Sequence, residues 1–557
     1  MLLPASVAWL FGTLTHGQAM WGLLGLEVLH GDPLLVSSTN IAAPPFFAWC
    51  TAATLAVSFG NPIWWLTIPS YIFWILSAVV VFLLVRRWHD TTTALLTLIV
   101  LAVNPVVINQ IQHGQPGTAA LFWGVLTLWA YVEHLQSGNG VKSWWTVLEG
   151  VSIGFLILTA GLSALWIPGL IAIHLAYDQI QNSSDWNKGF DQLRRNQTLS
   201  AGLVAIGIAL VMAGPWLAYA QTTDGPMALF STAGMAGERF GFDAPAHAMP
   251  TTFALGLFGI ARAFRLRLRR QADRQASLPV IWSVVAYFVF IFIEPTGLGL
   301  LFVIVPLSIL AMQSLEFVVE RKLRDWTSLW IMIGTLATFV FFGIPTLTDN
   351  VFSALQKAPI WLIGELDHEQ FLLWGWEIVW IMLAFMIILG GTVLIYWLFR
   401  KSSKHDRYRR LLFGTFAVFV VGGATALGTS PFVMSKRSTD PWIELDETLR
   451  KLPKQDYLVF LGERNPSPEL AFIARDTARQ MTVKLSHDVP ELDNMLDRLP
   501  GKPLVLLTDP TMTLPTSIPL NQGKVSVTFG RVYRGETTVV YAPVSGKDAE
   551  PILKKRK

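Results

Sequence analysis

Apolar stretches of near membrane-spanning length recur along the first 430 residues of this chain, and they restrict its fold more than any other feature. A helix of roughly 20 residues crosses a hydrocarbon core of about 30 Å, so each stretch is a candidate transmembrane helix. Hydrophobic residues make up 52% of the 557 positions and charged residues only 14%, which excludes an ordinary soluble domain. About thirteen spans are predicted, at 1–14, 63–85, 91–109, 116–134, 149–161, 163–178, 200–219, 251–264, 278–293, 297–313, 327–346, 373–399 and 411–430.

The loops between these spans alternate in their content of Lys and Arg, which predicts the orientation of the chain. Six alternate loops hold 21 of these residues, and they are 86–90, 135–148, 178–199, 262–274, 314–326 and 400–410. The other loops hold two, Arg239 and Lys357. Because positively charged flanks stay in the cytoplasm, the sparsely charged loops are predicted outside, at 15–62, 104–117, 220–250, 294–296 and 347–372.

The chain is therefore predicted to have two domains, a transmembrane domain at 1–430 and a soluble domain at 431–557. The second domain is expected on the outer side, since long domains translocate largely regardless of charge. Helical and strand patterns alternate along it, which predicts a small α/β domain with mostly parallel pairing. Strands are expected at 456–461, 481–485, 503–508, 524–533 and 537–542. The predicted location is the inner (plasma) membrane, with the soluble domain periplasmic if the organism is a Gram-negative bacterium.

The same features narrow the class of function. A transporter should show paired halves or charges buried near the midplane, and neither stands out here. The polar features instead gather on the outer side, which favours an enzyme that works on a lipid-linked substrate. The arginine-rich loop 262–274 is typical of a topology anchor, so no nucleic-acid partner is predicted. Cys50 is the only cysteine, so neither an intramolecular disulfide nor a thiolate metal site is supported.

The first outer loop carries two turn-rich motifs. Residues 27–33 read EVLHGDP and residues 43–49 read APPFFAW. An amphipathic helix over 19–30 is predicted to lie in the membrane interface and to be broken by Gly31-Asp32-Pro33. A second interfacial helix is predicted to begin at Pro44-Pro45 and to end near Gly60.

These motifs resemble the first periplasmic loop of the GT-C class of membrane glycosyltransferases, in the branch of aminoarabinose transferases and bacterial relatives of protein O-mannosyltransferases. Further matches follow in the same order along the chain. They are Arg86-Arg87, Asn104-Pro105, Leu158-Thr159-Ala160-Gly161, Pro215-Trp216 and Arg239-Phe240. The similarity covers roughly residues 10–310 and the layout of the C-terminal segment.

The resemblance implies transfer of a sugar from a polyprenyl phosphate donor to an acceptor on the outer face of the membrane. An inverting transfer needs a base that takes the proton of the acceptor hydroxyl, and cationic groups that hold the leaving phosphate. The implied partners are the polyprenyl-phosphate-linked sugar donor and membrane lipids. The donor sugar, the acceptor and the oligomeric state do not follow from the sequence.

Several charges of that family are absent from this chain. His16 stands where the family has its catalytic acidic residue, and Ala43 and Ala160 stand where it has lysines. The segment 113–115 replaces an acidic residue of the family, and Glu294-Pro295 lies where relatives carry a lysine. The chain has therefore either rebuilt its site or kept the fold without the activity, as a scaffold or lipid-binding partner. A transporter or flippase is the remaining alternative.

Two outer loops carry the tripeptide His-Gly-Gln, at 16–18 and at 113–115. In the family fold these loops converge over the active site, and a histidine can serve as a general base or a metal ligand. The alternative is that both tripeptides are polar helix ends at the water interface. No metal-ligand set is assigned, although a divalent metal stays open. The candidate catalytic residues are His16, His113, Asp32 and Glu27, and the candidate substrate-binding residues are Arg239, Gln18, Gln115 and Glu294.

Asp32 follows the helix-terminating Gly31, so it has a structural interpretation beside the catalytic one. Arg239 is one of only two basic residues in the outer loops and stands where relatives carry an arginine near the sugar phosphate. Glu294 is interpreted either as a surface cap or as a site carboxylate.

Overall fold

The computed structural model describes residues 16–32, 43–58, 62–89, 91–102, 104–137, 144–182, 197–224, 241–268, 277–293, 296–320, 445, 449, 457–461, 472–473, 480–483, 504–508, 517–520, 525–534 and 539–543. The chain divides into two compact units. The first consists of Met1–Phe11, Gly31–Cys50 and Thr67–Ser435. The second consists of Gly12–His30, Thr51–Leu66 and Lys436–Lys557. The predicted domain boundary at residue 430 lies outside the described residues and stays a prediction.

Helices dominate the described part of the first 320 residues. They are α1 (His16–Leu29), α2 (Pro45–Ala56), α3 (Ile68–Trp88), α4 (Thr91–Ala102), α5 (Pro105–Gln112), α6 (Gly117–Ser137), α7 (Trp144–Ala160), α8 (Trp166–Asn182), α9 (Gln197–Asp224), α10 (Ala244–Ala248), α11 (Pro250–Leu268), α12 (Ser277–Phe292) and α13 (Gly297–Glu320). Two short 3-10 helices, Pro62–Thr67 and Gly161–Leu165, precede α3 and α8.

Four helical stretches in the described part of the chain are long and apolar enough to cross a membrane. They are Trp65–Trp88, Trp144–Asp178, Leu199–Gln221 and Gly297–Leu315. Shorter apolar helices accompany them, among them α2 and α12. The predicted spans 1–14, 327–346, 373–399 and 411–430 lie outside the described residues, so the count of thirteen stays a prediction.

The predicted span 91–109 is wrong as a single helix. α4 ends at Ala102, and α5 begins three residues later at Pro105. Proline has no backbone N–H and is favoured in the first turn of a helix rather than inside one. Asn104 caps the new helix, because its Oδ1 accepts a hydrogen bond from the Val106 N–H at 2.8 Å. With 12 residues, α4 is only about 18 Å long at 1.5 Å per residue.

Close packing in the first unit fixes the relative direction of several helices. A Cβ at Gly150 would meet Ala205 and one at Gly154 would meet Ala209, so α7 and α9 run parallel. Gly256 and Gly259 meet Leu307 and Leu310 in the same order, so α11 and α13 also run parallel. Both directions agree with the alternation of loops predicted from the Lys and Arg counts.

Polar side chains link helices at one end of the first unit. The Arg87 Nε lies 3.3 Å from the Glu133 carboxylate, which joins α3 to α6. Tyr131 Oη and His174 Nδ1 lie 2.7 Å apart, and His174 Nε2 lies 3.2 Å from Ser277 Oγ. These contacts gather helix ends whose loops carry the positive charges, which is the end predicted to face the cytoplasm.

The second unit is built around α1 in its described part. Gly22 is so close to Phe472 that an added Cβ would lie 2.5 Å from the ring. On the next turn, Gly25 lies against Thr51 and Ala52 of α2. Phe472 and the neighbouring Ile473 are both about 1% exposed, so residues of the C-terminal segment share one core with the first loop.

Six strands are described in the C-terminal segment, and they form one sheet. They are β1 (Tyr457–Leu461), β2 (Gln480–Val483), β3 (Leu504–Thr508), β4 (Ser517–Leu520), β5 (Val525–Arg534) and β6 (Val539–Pro543), in the order β2-β1-β3-β6-β5-β4. β1 pairs in parallel with β2 and β3, whereas the β3–β6, β6–β5 and β5–β4 pairs are antiparallel.

The expectation of mostly parallel pairing is therefore wrong for the described strands. Parallel neighbours need a crossover of a dozen or more residues, which the long connections between β1, β2 and β3 provide. The connections from β4 to β5 and from β5 to β6 have four residues each and suit antiparallel neighbours. β4 was not predicted, because Pro519 interrupts a pattern of only four residues. The helices expected beside this sheet lie almost entirely outside the described residues, so the α/β domain stays a prediction.

Candidate active site

The first candidate tripeptide begins α1, in the second unit. His16 is the first residue of this helix, and its side chain lies outside the described part. Gln18 and Glu27 are both buried, at 1% and 7% exposure, and both carry interactions within the protein. α1 ends as predicted: the His30 N–H donates to the Leu26 carbonyl, and Gly31 follows with a φ of 99°. Glycine adopts this left-handed conformation without a steric penalty.

Asp32 directly follows this helix end, in the first unit. It is half-buried and has an interaction within the protein. The geometry of Gly31 supports the structural interpretation of the Gly-Asp pair, in which the pair terminates a helix. A catalytic role for Asp32 stays a prediction.

The second candidate tripeptide, 113–115, is a complete helix cap. The Gly114 N–H donates to the Ile111 carbonyl at 3.1 Å, and the Gln115 N–H donates to the Gln110 carbonyl at 3.2 Å. Gly114 has a φ of 55°. These two bonds and the left-handed glycine define a Schellman motif, which satisfies the last carbonyls of α5. The tripeptide is thus a polar helix end, as one of the two interpretations expected.

The cap also fixes the ring of His113. Its Nδ1 lies 2.8 Å from the Asn109 carbonyl oxygen. A carbonyl can only accept, so Nδ1 carries the proton that is donated. In the neutral ring the lone pair is then on Nε2, and the side chain is only partly buried. This hydrogen bond fixes the orientation of the ring and leaves Nε2 as its acceptor.

Three contacts hold this turn and the segment 241–250 in the first unit. The Ser70 Oγ donates to the Gln115 carbonyl at 2.8 Å, which ties the turn to α3. The buried Asn104 amide donates to the sulfur of Met249. The Tyr287 hydroxyl donates to the Phe242 carbonyl at 2.6 Å.

An aromatic cluster holds the start of α2, where the family-like proline pair lies. Phe46 contacts Phe73, Trp123 and Phe155, with ring centroids 5.0 to 5.7 Å apart. Trp123 stacks on Phe155 at 4.6 Å and an interplanar angle of 18°. Edge-to-face and offset contacts of this kind stabilise packing beyond the buried area alone. The segment that begins α2 is therefore fixed by rings from α3, α6 and α7.

A small apolar cavity lies where α7, α8, α12 and α13 meet. Ala160, Ser163, Trp166, Val289 and Phe302 are among the residues that line it. Its volume is about 10 Å³, which is room for roughly one water molecule. Neither a sugar nor a lipid chain fits there.

The remaining predicted site residues are not brought together by the described part of the chain. Arg239, Glu294 and the outer loop 347–372 lie outside the described residues. His16, Gln18 and Glu27 belong to the second unit, whereas His113 and Gln115 belong to the first. The predicted convergence of the two tripeptides stays a prediction. Among the described residues, no group of three or more His, Cys, Asp and Glu side chains is arranged to hold a metal ion.

The sequence does not indicate that Asn104 and Tyr287 contact the segment 241–250. Asn104-Pro105 matches the family at the end of the third predicted span, and an asparagine before a proline is also a typical helix cap. Tyr287 is one of ten tyrosines and stands in an apolar helix, where no local pattern predicts the partner of its hydroxyl.

The comparisons agree with the resemblance found in the sequence. Residues 42–188 match the family described as dolichyl-phosphate-mannose-protein mannosyltransferase, which is about a quarter of the chain. No curated protein matches the chain in sequence.

Solved structures give the wider match. ArnT from Cupriavidus metallidurans bound to undecaprenyl phosphate is 17% identical, with a TM-score of 0.61 over 98% of this chain and 97% of that chain. The same enzyme in the apo state gives 17% identity and a TM-score of 0.59, over 97% and 96% of the two chains. The oligosaccharyltransferase of Archaeoglobus fulgidus gives 11% identity and a TM-score of 0.50, over 99% and 74%. The resemblance to GT-C glycosyltransferases is confirmed, and at these identities the structural likeness defines the fold.

Proposed function

We propose that this chain is a membrane glycosyltransferase that moves a sugar from a polyprenyl phosphate donor to a lipid, glycan or protein acceptor. The observation that carries the proposal is the fold match over nearly the whole of both chains to an enzyme bound to undecaprenyl phosphate. The match to a mannosyltransferase family across α2 to α8 supports the same class of reaction.

The site is proposed to lie on the outer face of the inner membrane. The Lys and Arg distribution supports this orientation, because 21 of these residues stand in the loops on the opposite side. The C-terminal segment is proposed on the outer side as well. Phe472 packs against Gly22 of the first outer loop, and two segments that share a core within one unit lie on the same side of a bilayer.

The reaction has one bond forming and one breaking at the anomeric carbon. The acceptor hydroxyl oxygen attacks that carbon, the bond from carbon to the phosphate oxygen breaks, and polyprenyl phosphate leaves with the electron pair. A base takes the hydroxyl proton, and a cation stabilises the charge on the phosphate. His113 is a candidate base because Nδ1 donates to Asn109 and leaves the lone pair on Nε2. Arg239 is the candidate cation.

His16 is the second candidate base, since it stands where the resembling family has its acidic residue. Asp32 and Glu27 are the carboxylates to test next. Gln18, Gln115 and Glu294 are proposed to contact the substrate. A divalent metal is not required by this scheme.

A catalytically silent lipid-binding relative is the second candidate. The residues that favour it are His16, Ala43 and Ala160, which stand where the family has charged side chains. The two functions share the donor lipid and differ in turnover.

Assays on purified protein in detergent distinguish an active glycosyltransferase from a catalytically silent relative. The glycosyltransferase proposal expects saturable binding of polyprenyl phosphate, together with release of polyprenyl phosphate from a sugar-charged donor when membrane extract supplies the acceptor. Binding without release over a panel of sugar donors supports the silent relative. Failure to bind polyprenyl phosphate contradicts both.

A further inference from the structure

Two neighbouring side chains in the predicted outer loop 220–250 stay at the surface of the first unit. They are Phe242 and Asp243, which directly precede α10. Ala244 and Ala248 of α10 pack against the hydrophobic core of this unit. The Phe242 side chain, in contrast, is 70% exposed, and Asp243 is half-buried. The helix thus docks the segment on the protein, while an aromatic ring and a carboxylate remain accessible beside it.

The Asp243 carboxylate does not cap the helix that it precedes. Asp243 is the N-cap residue of α10, a position where an aspartate side chain normally accepts a backbone N–H of the first turn. It makes no such bond here, and Pro245 in the first turn has no N–H to donate. The carboxylate instead lies over Gly241, where an added Cβ would come within 2.5 Å of Oδ1. The usual structural role of an aspartate at this position therefore does not explain where its side chain lies.

The backbone between the two side chains is held from a neighbouring helix. The Tyr287 hydroxyl, on α12, donates to the Phe242 carbonyl at 2.6 Å. This carbonyl belongs to the peptide unit that joins Phe242 to Asp243, so the bond constrains the direction of both side chains. The Asp243 carboxylate also interacts electrostatically with Tyr287. Groups that are fixed before a ligand arrives lose less conformational freedom when it binds.

An exposed ring beside a carboxylate has the chemistry that recognises a sugar. A sugar presents hydroxyl groups that donate hydrogen bonds and a ring face of apolar C–H groups. An ionised carboxylate only accepts, and its hydrogen bonds from hydroxyl groups are short and strong. Asp243 already has an interaction within the protein, but the two oxygens of a carboxylate offer about four acceptor positions. Acceptor capacity for a ligand therefore remains.

We propose that Phe242 and Asp243 contact the sugar of the lipid-linked donor. Asp243 accepts hydrogen bonds from the sugar hydroxyls, and the Phe242 ring packs against the C–H face of the sugar. This inference rests on the proposed function and deepens it, because it assigns residues to the sugar rather than to the phosphate or the lipid chain. The pair should then strengthen binding of the donor that carries its sugar, and leave binding of polyprenyl phosphate alone unchanged.

Three variants and a matched control test the pair. Asp243→Asn keeps the size of the side chain and removes its charge. Phe242→Leu keeps an apolar side chain and removes the flat ring, whereas Phe242→Trp keeps an aromatic face. Phe288→Leu is the control, because Phe288 is another exposed ring, at 58%, and lies on α12. Affinities of purified protein in detergent are measured for polyprenyl phosphate and for polyprenyl phosphate that carries mannose, glucose or galactose.

We expect the unsubstituted protein to bind at least one sugar-carrying lipid more tightly than polyprenyl phosphate. Asp243→Asn should weaken binding of that lipid by about tenfold or more, the usual effect of losing a hydrogen bond to a charged group. Phe242→Leu should weaken it by about threefold, since stacking on an aromatic ring is worth less, and Phe242→Trp should retain it. The affinity for polyprenyl phosphate should stay the same in every variant, and Phe288→Leu should change neither affinity.

Three results overturn the proposal while the proposed function stands. The first is that the unsubstituted protein binds polyprenyl phosphate but prefers none of the sugar-carrying lipids. The second is that Asp243→Asn or Phe242→Leu keeps the full preference for the sugar-carrying lipid, which removes that residue from the sugar contact. The third is an equal loss of affinity for both kinds of lipid, which assigns the pair to the fold or to a membrane contact. If the unsubstituted protein binds neither kind, the proposed function fails, and the sugar contact fails with it.

Discussion

At the scale of single residues, the histidines of the two His-Gly-Gln tripeptides differ in what supports a chemical role. His113 has one ring nitrogen bonded to a backbone carbonyl of its own helix, and this bond sets the tautomer. His16 has a positional argument instead, from the register of the family motifs around Gly31-Asp32 and Pro44-Pro45. Substituting each histidine in turn shows which of the two acts as the base.

Replacing the catalytic histidine should reduce transfer by about a hundredfold or more, since general-base assistance contributes roughly 10² to 10⁴ in rate. His113→Ala and His16→Ala are compared in purified protein by the initial rate of transfer and by donor binding. The catalytic variant should lose rate and keep donor affinity. If both variants retain near-normal transfer, the base lies at Asp32 or Glu27, and silence at all four positions contradicts this placement of the site.

If His16 is the base, activity should also fall as the pH is lowered and the imidazole becomes protonated. Protonated imidazole has no lone pair with which to accept the hydroxyl proton. A rate that stays constant from pH 8 to pH 5 argues against a histidine base at this position.

Arg239→Ala should weaken binding of polyprenyl phosphate. Loss of a hydrogen bond to a charged group amounts to about 1.5–3 kcal/mol, which is roughly tenfold or more in affinity. Arg239→Lys keeps the charge but loses the bidentate hydrogen-bonding geometry. Its affinity for polyprenyl phosphate should lie between that of the unsubstituted protein and that of Arg239→Ala. Lys357→Ala, at the other basic residue of the predicted outer loops, is the control. Equal affinity in Arg239→Ala and the unsubstituted protein removes Arg239 from the site.

At the scale of elements, the glycine cap that ends α5 affects both the stability of this helix end and the position of His113. Gly114 is left-handed, and a non-glycine residue there is penalised by about 1–2 kcal/mol. Gly114→Ala should therefore lower the unfolding free energy by about that amount and reduce transfer by displacing His113. The control is Gly169→Ala in α8, where an added Cβ meets nothing within 4 Å. Thermal unfolding in detergent should show a lower midpoint for Gly114→Ala only, and equal midpoints would contradict the assigned cap.

The elements that sequence predicted well are those with a local signal. The ends of two helices follow from Gly31, which stops α1, and from the proline pair at 44–45, which begins α2, because both act through backbone sterics. Their placement in the membrane interface stays a prediction. The break inside 91–109 carried a signal in Asn104-Pro105, yet hydropathy averaged over the span concealed it. Non-local features were not predictable: the donors of Tyr287 and Asn104 find partners 45 and 145 residues away.

At the scale of the whole molecule, the orientation in the membrane can be tested with the native cysteine as background. Burial raises the pKa of the Cys50 thiol to about 12. Maleimides react with the thiolate, so Cys50 should label slowly at neutral pH. Cysteines introduced at 269 and 404 should label only from the cytoplasmic side, and a C-terminal reporter that works only outside the cytoplasm should be active. Efficient labelling of a cysteine at residue 404 in intact cells would contradict the predicted orientation.

The fold class, by contrast, followed from features spread over the whole chain. Hydropathy and the order of weak motifs predicted a GT-C-like membrane protein, and the structural match over 98% of the chain agrees. The sheet order was less accessible, because strand pairing depends on contacts between residues that are distant in sequence. The site is least determined, because the family charges that would mark it are replaced at His16, Ala43 and Ala160.

The most direct test of transferase activity is mass spectrometry of envelope lipids, glycans and proteins from a strain that lacks this chain. We expect one envelope component to lose the mass of a single sugar residue, and the unsubstituted gene to restore it. A variant without either histidine, His16→Ala with His113→Ala, should reach the membrane in normal amount and fail to restore that mass. An envelope that is identical with and without the chain, or full restoration by the double variant, would contradict the proposed transferase or its proposed base.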